Sequence, residues 1–124
     1  MARLIGGTAA GILGWFVLAT LLNLALRHGW PDYAAVEKAM AFTLAMMAAR
    51  LLVSAASSIG SGFIAARIGG VRAAAIAGAI LLLMFLPIHY MLWQRFPAWY
   101  HLAFLASLPL LGSLGGRLAR GGSR

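Results

Sequence analysis

Long apolar runs separated by short polar joints organise this chain. Four stretches, Leu4–Leu26, Met40–Ala66, Val71–Trp93 and Trp99–Leu118, are apolar or small almost throughout. A bilayer core about 30 Å thick takes roughly 20 apolar helical residues, so each stretch is expected to cross a membrane once. Leu4–Leu26 carries only Thr8, Thr20 and Asn23 as polar side chains, and Met40–Ala66 holds one charge, Arg50. Val71–Trp93 has Arg72 near its start, and Trp99–Leu118 is uncharged until Arg117. The joints are Arg27–Ala39, Arg67–Gly70 and Gln94–Ala98. The pattern predicts an all-α, integral membrane four-helix bundle forming one transmembrane domain over 1–124.

The second helix outruns a bilayer. Pro31 suits a helix start, and Asp32 and Glu37 suit a first turn. A helix from near Asp32 to Ile68 is about 55 Å long at 1.5 Å per residue. Such a helix must tilt, break or project its first turns above the membrane, and projection is expected because Asp32, Glu37 and Lys38 belong in water.

Composition reinforces the membrane reading. Of 124 residues, 63% are hydrophobic and 10% charged, with mean hydropathy +0.92. Soluble domains carry about 25% charged residues, so a soluble enzyme, a disordered tail and a nucleic-acid arm are excluded. The first run exceeds the roughly 7–15 apolar residues of a signal peptide, and no small-x-small site follows it cleanly. It is therefore expected to stay as a span. Cysteine is absent, which removes disulfides, thiolate nucleophiles and Cys-held metals.

The net charge of +8 resembles a nucleic-acid signal but reads as topology. Arg3, Arg67, Arg72, Arg117, Arg120 and Arg124 fall on one side. Arg27, Lys38 and Arg95 fall on the other, with both acids, Asp32 and Glu37. The Lys/Arg bias predicts cytoplasmic N- and C-termini. The tail Arg117–Arg124 can also touch anionic lipid. Trp30, Tyr33, Tyr90, Trp93, Trp99 and Tyr100 gather at the outer ends of the spans, where amphipathic rings favour the headgroup level. Trp15 alone falls at mid-membrane, where it is expected to pack on a neighbouring helix with its N–H bonded.

Helices in lipid associate through close backbone approach at small residues. Gly7, Gly11 and Gly14 share one face of the first helix. Ser54, Ser57, Ser58, Ser61 and Ala65 form a strip on the second, beside Gly60 and Gly62. Ala74 and Gly78 mark the third, and Gly112, Ser113 and Gly116 the fourth. This spacing predicts tight packing without saying whether the partner is in the same chain or another. Pro87 and Pro109 free the carbonyls of Leu83 and Leu105 and are expected to kink their helices. Trp30-Pro31-Asp32-Tyr33 and Phe96-Pro97-Ala98-Trp99 repeat an aromatic-Pro-x-aromatic pattern at two outer turns.

Candidate chemistry centres on Arg50. An intramembrane charge costs about 2.5–3.5 kcal/mol on insertion scales and is a functional hypothesis by default. The structural alternative is snorkelling to the headgroups. Asp32 and Glu37 share its predicted helix more than three turns away, so neither is expected to pair with it. Asn23, Arg27, His28, His89, Tyr90, Tyr100 and His101 reach similar heights. The candidate polar cluster is Arg50, His89, His101 and Asn23. It suits an anion, a lipid phosphate or a partner's carboxylate.

Other chemistries find no residues. Gly60-Ser61-Gly62 resembles the serine motif of rhomboid proteases, but the histidines are expected about 15–20 Å away in depth, too far for a catalytic base. Small multidrug-resistance transporters share the size and span count but use a glutamate in helix one, which is missing here. Fluoride channels share a glycine-rich start, here Gly6-Gly7 with Gly11, but no Arg-Tyr pair follows. No catalytic residue, cofactor or metal site is expected.

Ala66-Arg67-Ile68-Gly69-Gly70, Leu86-Pro87-Ile88-His89-Tyr90 and Phe96-Pro97-Ala98-Trp99-Tyr100-His101 resemble a group of small, Ala/Arg-rich, four-span bacterial membrane proteins of unknown function. The resemblance covers most of the chain. It implies a bacterial cytoplasmic membrane and supplies no activity, ligand or site. Two functional readings follow. The first is a non-enzymatic accessory or assembly subunit, or a homo-oligomer, with membrane lipids and a membrane protein as partners and no nucleic acid. The second is a small channel or transporter for an anionic or lipid-like solute.

Overall fold

The computed structural model describes residues 1–39 and 41–122, with side chains through residue 119. Met40, expected to open the second span, lies outside them, as do Arg124 and the Arg120 side chain of the basic tail. The described residues form four long helices, α1 (Ala2–Gly29), α3 (Leu44–Gly69), α4 (Val71–Met91) and α5 (Ala98–Gly122), plus a short α2 (Pro31–Val36). A one-turn 3₁₀ helix, Trp93–Arg95, leads into α5. The four long helices are long and apolar enough to cross a membrane. Leu13, Leu52, Leu83 and Leu110, one from each, are all more than half exposed. Such an apolar outer surface fits lipid far better than water.

The expected single helix from Asp32 to Ile68 is broken. Backbone helix stops at Val36, and α3 restarts at Leu44 behind Thr43, whose hydroxyl accepts the Met46 N–H at 3.2 Å. This side-chain cap satisfies one of the open N–H groups of the first turn. The break folds α2 back onto the bundle, placing Tyr33 in a fully buried position.

Helix α3 is central and packs on α1, α4 and α5. The end carrying the start of α1, the end of α5 and the α3–α4 turn is the glycine end. Here backbones touch. A Cβ at Gly7 would lie 2.6 Å from the Ala65 carbonyl, and one at Gly11 2.9 Å from that of Ser61. A Cβ at Gly62 would overlap the Gly112 carbonyl, and one at Gly116 would lie 2.7 Å from Ala74 Cβ. Gly78 meets Pro109 and Leu108, and Gly14 meets the Ile64 side chain. Ala65, Ala73, Ala74 and Ala77 fill what little space remains. Among the described residues only Gly70, at φ +86, needs glycine for its backbone, turning α3 into α4.

Further along the bundle, large rings replace small residues. Trp15, Leu81, Phe104 and Leu108 form the buried core there. The helices therefore touch closely at the glycine end and are spaced by side chains toward the opposite, aromatic end. The Trp15 N–H donates to Ser58 Oγ at 3.1 Å, as the position of this lone mid-span indole predicts. Ser61 donates to the Gly11 carbonyl at 2.7 Å. Ser107 donates to the Phe104 carbonyl at 2.6 Å, which leaves Ser54 to donate to Ser107 at 2.9 Å.

Ser57 Oγ is fully buried with no partner among the described residues. An unpaired buried hydroxyl costs about 1–3 kcal/mol. Ser57→Ala is accordingly expected to raise the melting temperature in detergent, whereas Ser61→Ala, which removes a bonded hydroxyl, is expected to lower it. Equal shifts for both would sink the distinction.

Candidate functional site

Arg50 organises the aromatic end. Two turns of the aromatic-Pro type each deliver a tyrosine to it. Arg50 Nη1 donates to Tyr33 OH at 2.8 Å, and Nε donates to Tyr100 OH at 3.0 Å. The guanidinium carbon sits 4.7 Å over the Phe42 ring, a cation–π contact. Rings continue this arrangement as a stack. Tyr33 stacks on Phe42 at 5.4 Å, Phe42 on Phe96 at 6.0 Å, and Phe96 on Tyr100 at 4.5 Å. All four come from α2, the loops or the start of α5, so they roof the guanidinium on its loop side.

A polar chain runs on from Tyr33. Its hydroxyl donates to Asn23 Oδ1 at 2.8 Å, and Asn23 Nδ2 donates to Glu37 at 2.9 Å. Glu37 receives Arg27 through two N–H groups, at 2.7 and 3.1 Å. The Arg27 guanidinium and the Asn23 amide hold the Glu37 carboxyl below the usual carboxylate range. Burial pushes the Tyr33 phenol up, so Tyr33 stays neutral. Arg27 and Glu37 therefore cancel, while Arg50 faces the hydroxyls of Tyr33 and Tyr100. Among the described residues no carboxylate bonds Arg50, and its Nη2 makes no bond to the protein.

The Glu37 latch has a pH sign. Its folded carboxyl titrates below the unfolded one, so the latch contributes fully above the ordinary glutamate range. It is lost as pH falls through the lowered value. Amide exchange over residues 31–39 is expected to accelerate in that acid window, and Glu37→Gln to accelerate it already at pH 7. Exchange insensitive to both changes would show that the latch does not hold α2.

His89 and His101 meet beside this network. Their Nδ1 atoms are 2.8 Å apart, and His101 Nε2 lies 3.1 Å from the Trp93 carbonyl. A carbonyl only accepts, so His101 Nε2 carries a proton. In the neutral pair, His101 Nδ1 then accepts the N–H of His89. Both rings are buried, and His89 stacks near Tyr100 at 6.4 Å and Phe104 at 4.6 Å.

An amphipathic cleft of about 240 Å³ opens beside Arg50. Its walls include Trp15 and Asn23 of α1, Arg50 and Ser54 of α3, Phe85 of α4 and Phe104 of α5. One cationic group thus points at a space otherwise lined mostly by rings. Such a space suits an anionic group attached to an apolar body.

The four residues of the candidate cluster all lie at the aromatic end, but they divide into two bonded sets. Asn23 and Arg50 join through Tyr33, whereas His89 and His101 bond each other. The cleft is lined by the first set and not by the histidines. His28 and Tyr90 stay exposed. The outer-end positions of Tyr33 and Tyr100 predict the headgroup level, and there the structure turns both hydroxyls onto Arg50 and buries both rings. Glu37 was set aside as a distant residue on a rigid helix, but the break after Val36 brings it to Arg27. Tyr33 and Phe42 are the contacts of Arg50 that sequence reasoning missed. The repeated aromatic-Pro turn was the signal that pointed toward Tyr33.

The packing residues Gly7, Gly11, Gly14, Ser54, Ser58, Ser61, Gly78, Gly112 and Gly116 all make contacts within this chain. The Ser61 hydroxyl of the rhomboid-like motif is committed to Gly11. No group of three potential metal ligands gathers among the described residues. No protein-family model, curated protein or solved structure matches the chain.

Proposed function

We propose that this chain is a multi-pass membrane protein without enzymatic activity that binds an anionic or lipid-like solute at Arg50. The carrying observation is a guanidinium with no carboxylate partner among the described residues, oriented by the hydroxyls of Tyr33 and Tyr100, that lines an amphipathic cleft. A planar fork with spare N–H groups matches carboxylate and phosphate oxygens. The assembly reading drew on the glycine and serine faces. Those faces are occupied by this chain's own helices, so the support passes to the solute reading. Backbone contact at the glycine end leaves little width along the bundle axis. The site therefore reads as the cleft of a carrier or binding protein rather than a stretch of open pore. The basic residues and the resemblance support a bacterial cytoplasmic membrane with both termini inside, which puts the cleft toward the outer leaflet.

The test is a thermal-shift series in mild detergent with inorganic phosphate, a short-chain carboxylate and an alkyl phosphate. A ligand bound only by the folded state raises its stability, by about 2.7 kcal/mol at a hundredfold excess over Kd. At least one anion is expected to raise the melting temperature of the native chain and leave Arg50→Gln unmoved. No shift with any of them, or equal shifts in both proteins, would overturn the proposal.

A further inference from the structure

The Arg50 cleft has a direction of entry, and that direction selects among anions. On its loop side the guanidinium is covered by the stacked rings of Tyr33, Phe42, Phe96 and Tyr100, of which Tyr33, Phe96 and Tyr100 are buried. None of these four rings lines the cleft. The cleft instead borders Phe16 and Thr20, exposed residues on the outer surface of α1, and reaches across to Phe85 of α4. Phe16 and Phe85 stack at 6.0 Å where α1 and α4 meet. In a membrane this face of the bundle looks into the acyl chains.

Resting on the reading of Arg50 as an anion site, we propose that the occupant is a lipid with a phosphate monoester headgroup, entering sideways between α1 and α4. The phosphate meets Arg50 Nη2, and the chain lies along Trp15, Phe16 and Phe85. A carboxylate or a soluble phosphate shares the charge but supplies nothing to the aromatic walls. A zwitterionic lipid fills the walls but brings a second cation toward Arg50. A phosphate monoester offers up to two charges and three oxygens to one guanidinium, and its tail stays in lipid throughout.

Trp15 makes the proposal measurable, because its indole lines the cleft while Trp30, Trp93 and Trp99 lie at the aromatic end. A chain with Trp30→Phe, Trp93→Phe and Trp99→Phe reports on Trp15 alone. It is reconstituted into bilayers containing phosphatidic acid or phosphatidylcholine with brominated acyl chains. Brominated phosphatidic acid is expected to quench Trp15 more strongly than brominated phosphatidylcholine. Arg50→Gln is expected to erase the difference, and millimolar inorganic phosphate to leave it intact. Native mass spectra of the full wild-type chain give the same comparison if the triple variant does not fold. There, phosphatidic acid adducts are expected to persist in the wild type and to fall about tenfold, one decade of affinity, in Arg50→Gln and Ala19→Leu. The second change narrows the cleft without touching the charge.

Quenching and adducts equal for the two lipids, with inorganic phosphate still stabilising the protein through Arg50, would overturn lipid entry and leave the anion site standing. Equal quenching with no anion response of any kind would overturn both.

Discussion

Gly62→Leu is expected to prevent the bundle from folding in mild detergent, with loss of the cooperative melt and of a monodisperse elution peak. Overfilling a packed interior costs about 1–3 kcal/mol where side chains can yield. At Gly62 the obstacle is the Gly112 carbonyl, so two helix backbones must separate. The cost should therefore lie at or above the top of that range. Separation also pulls Gly115 from Ile59 and Gly116 from Ala66, because these contacts share the α3–α5 seam. Gly29→Ala is the control. A Cβ there meets nothing within 4 Å, and its effect should stay within about 0.5 kcal/mol. The pair also separates two roles for the glycine faces. If they joined copies of the chain, Gly62→Leu would yield a folded protein of lower mass. A folded variant of either mass would contradict intramolecular packing.

Arg50→Gln is expected to weaken anion binding at least about tenfold, and Arg50→Lys to restore little of it. The guanidinium is held at two edges by Tyr33 and Tyr100 and on its face by Phe42. That fixes the guanidinium where Arg50 lines the cleft. Lysine keeps the charge but concentrates it on one rotating ammonium, which the same tyrosine oxygens would draw toward the roof. A charge-assisted hydrogen bond contributes about 1.5–3 kcal/mol, so losing one weakens binding by roughly tenfold to a hundredfold. Titration of alkyl phosphate into both variants measures this, with melting curves to show that each is folded. Binding by Arg50→Lys equal to the native chain would mean that charge alone suffices. Binding retained in Arg50→Gln would remove Arg50 from the site.

The spans were legible because nothing competes with an uninterrupted apolar run of membrane length. The predicted starts and ends fall within a few residues of α1, α4 and α5. Trp15 was legible for a related reason, since a lone indole N–H deep in a span needs a partner nearby. The site was half legible. Arg50, Asn23, His89 and His101 stand out as polar residues on apolar helices, and all four lie at one end of the bundle. Their partners did not stand out. Tyr33 and Tyr100 looked like interfacial anchors, because a tyrosine near a span end has that role by composition. Only a helix broken between Val36 and Leu44 can return Tyr33 to a residue downstream on what looked like the same rod.

Residue order therefore dictates how many apolar spans form and where each can come close to a neighbour, because these follow from local hydropathy and side-chain size, whereas the break between α2 and α3 does not. Which glycine meets which carbonyl, and whether that carbonyl belongs to the same chain, was decided by the three-dimensional packing. So was the pairing of Glu37 with Arg27, which leaves the charge of Arg50 uncancelled. Local pattern places a charge in a helix, but its neutralisation depends on groups brought from elsewhere in the chain. At Arg50 those groups are the hydroxyls of Tyr33 and Tyr100, and the proposed anion site rests on that arrangement.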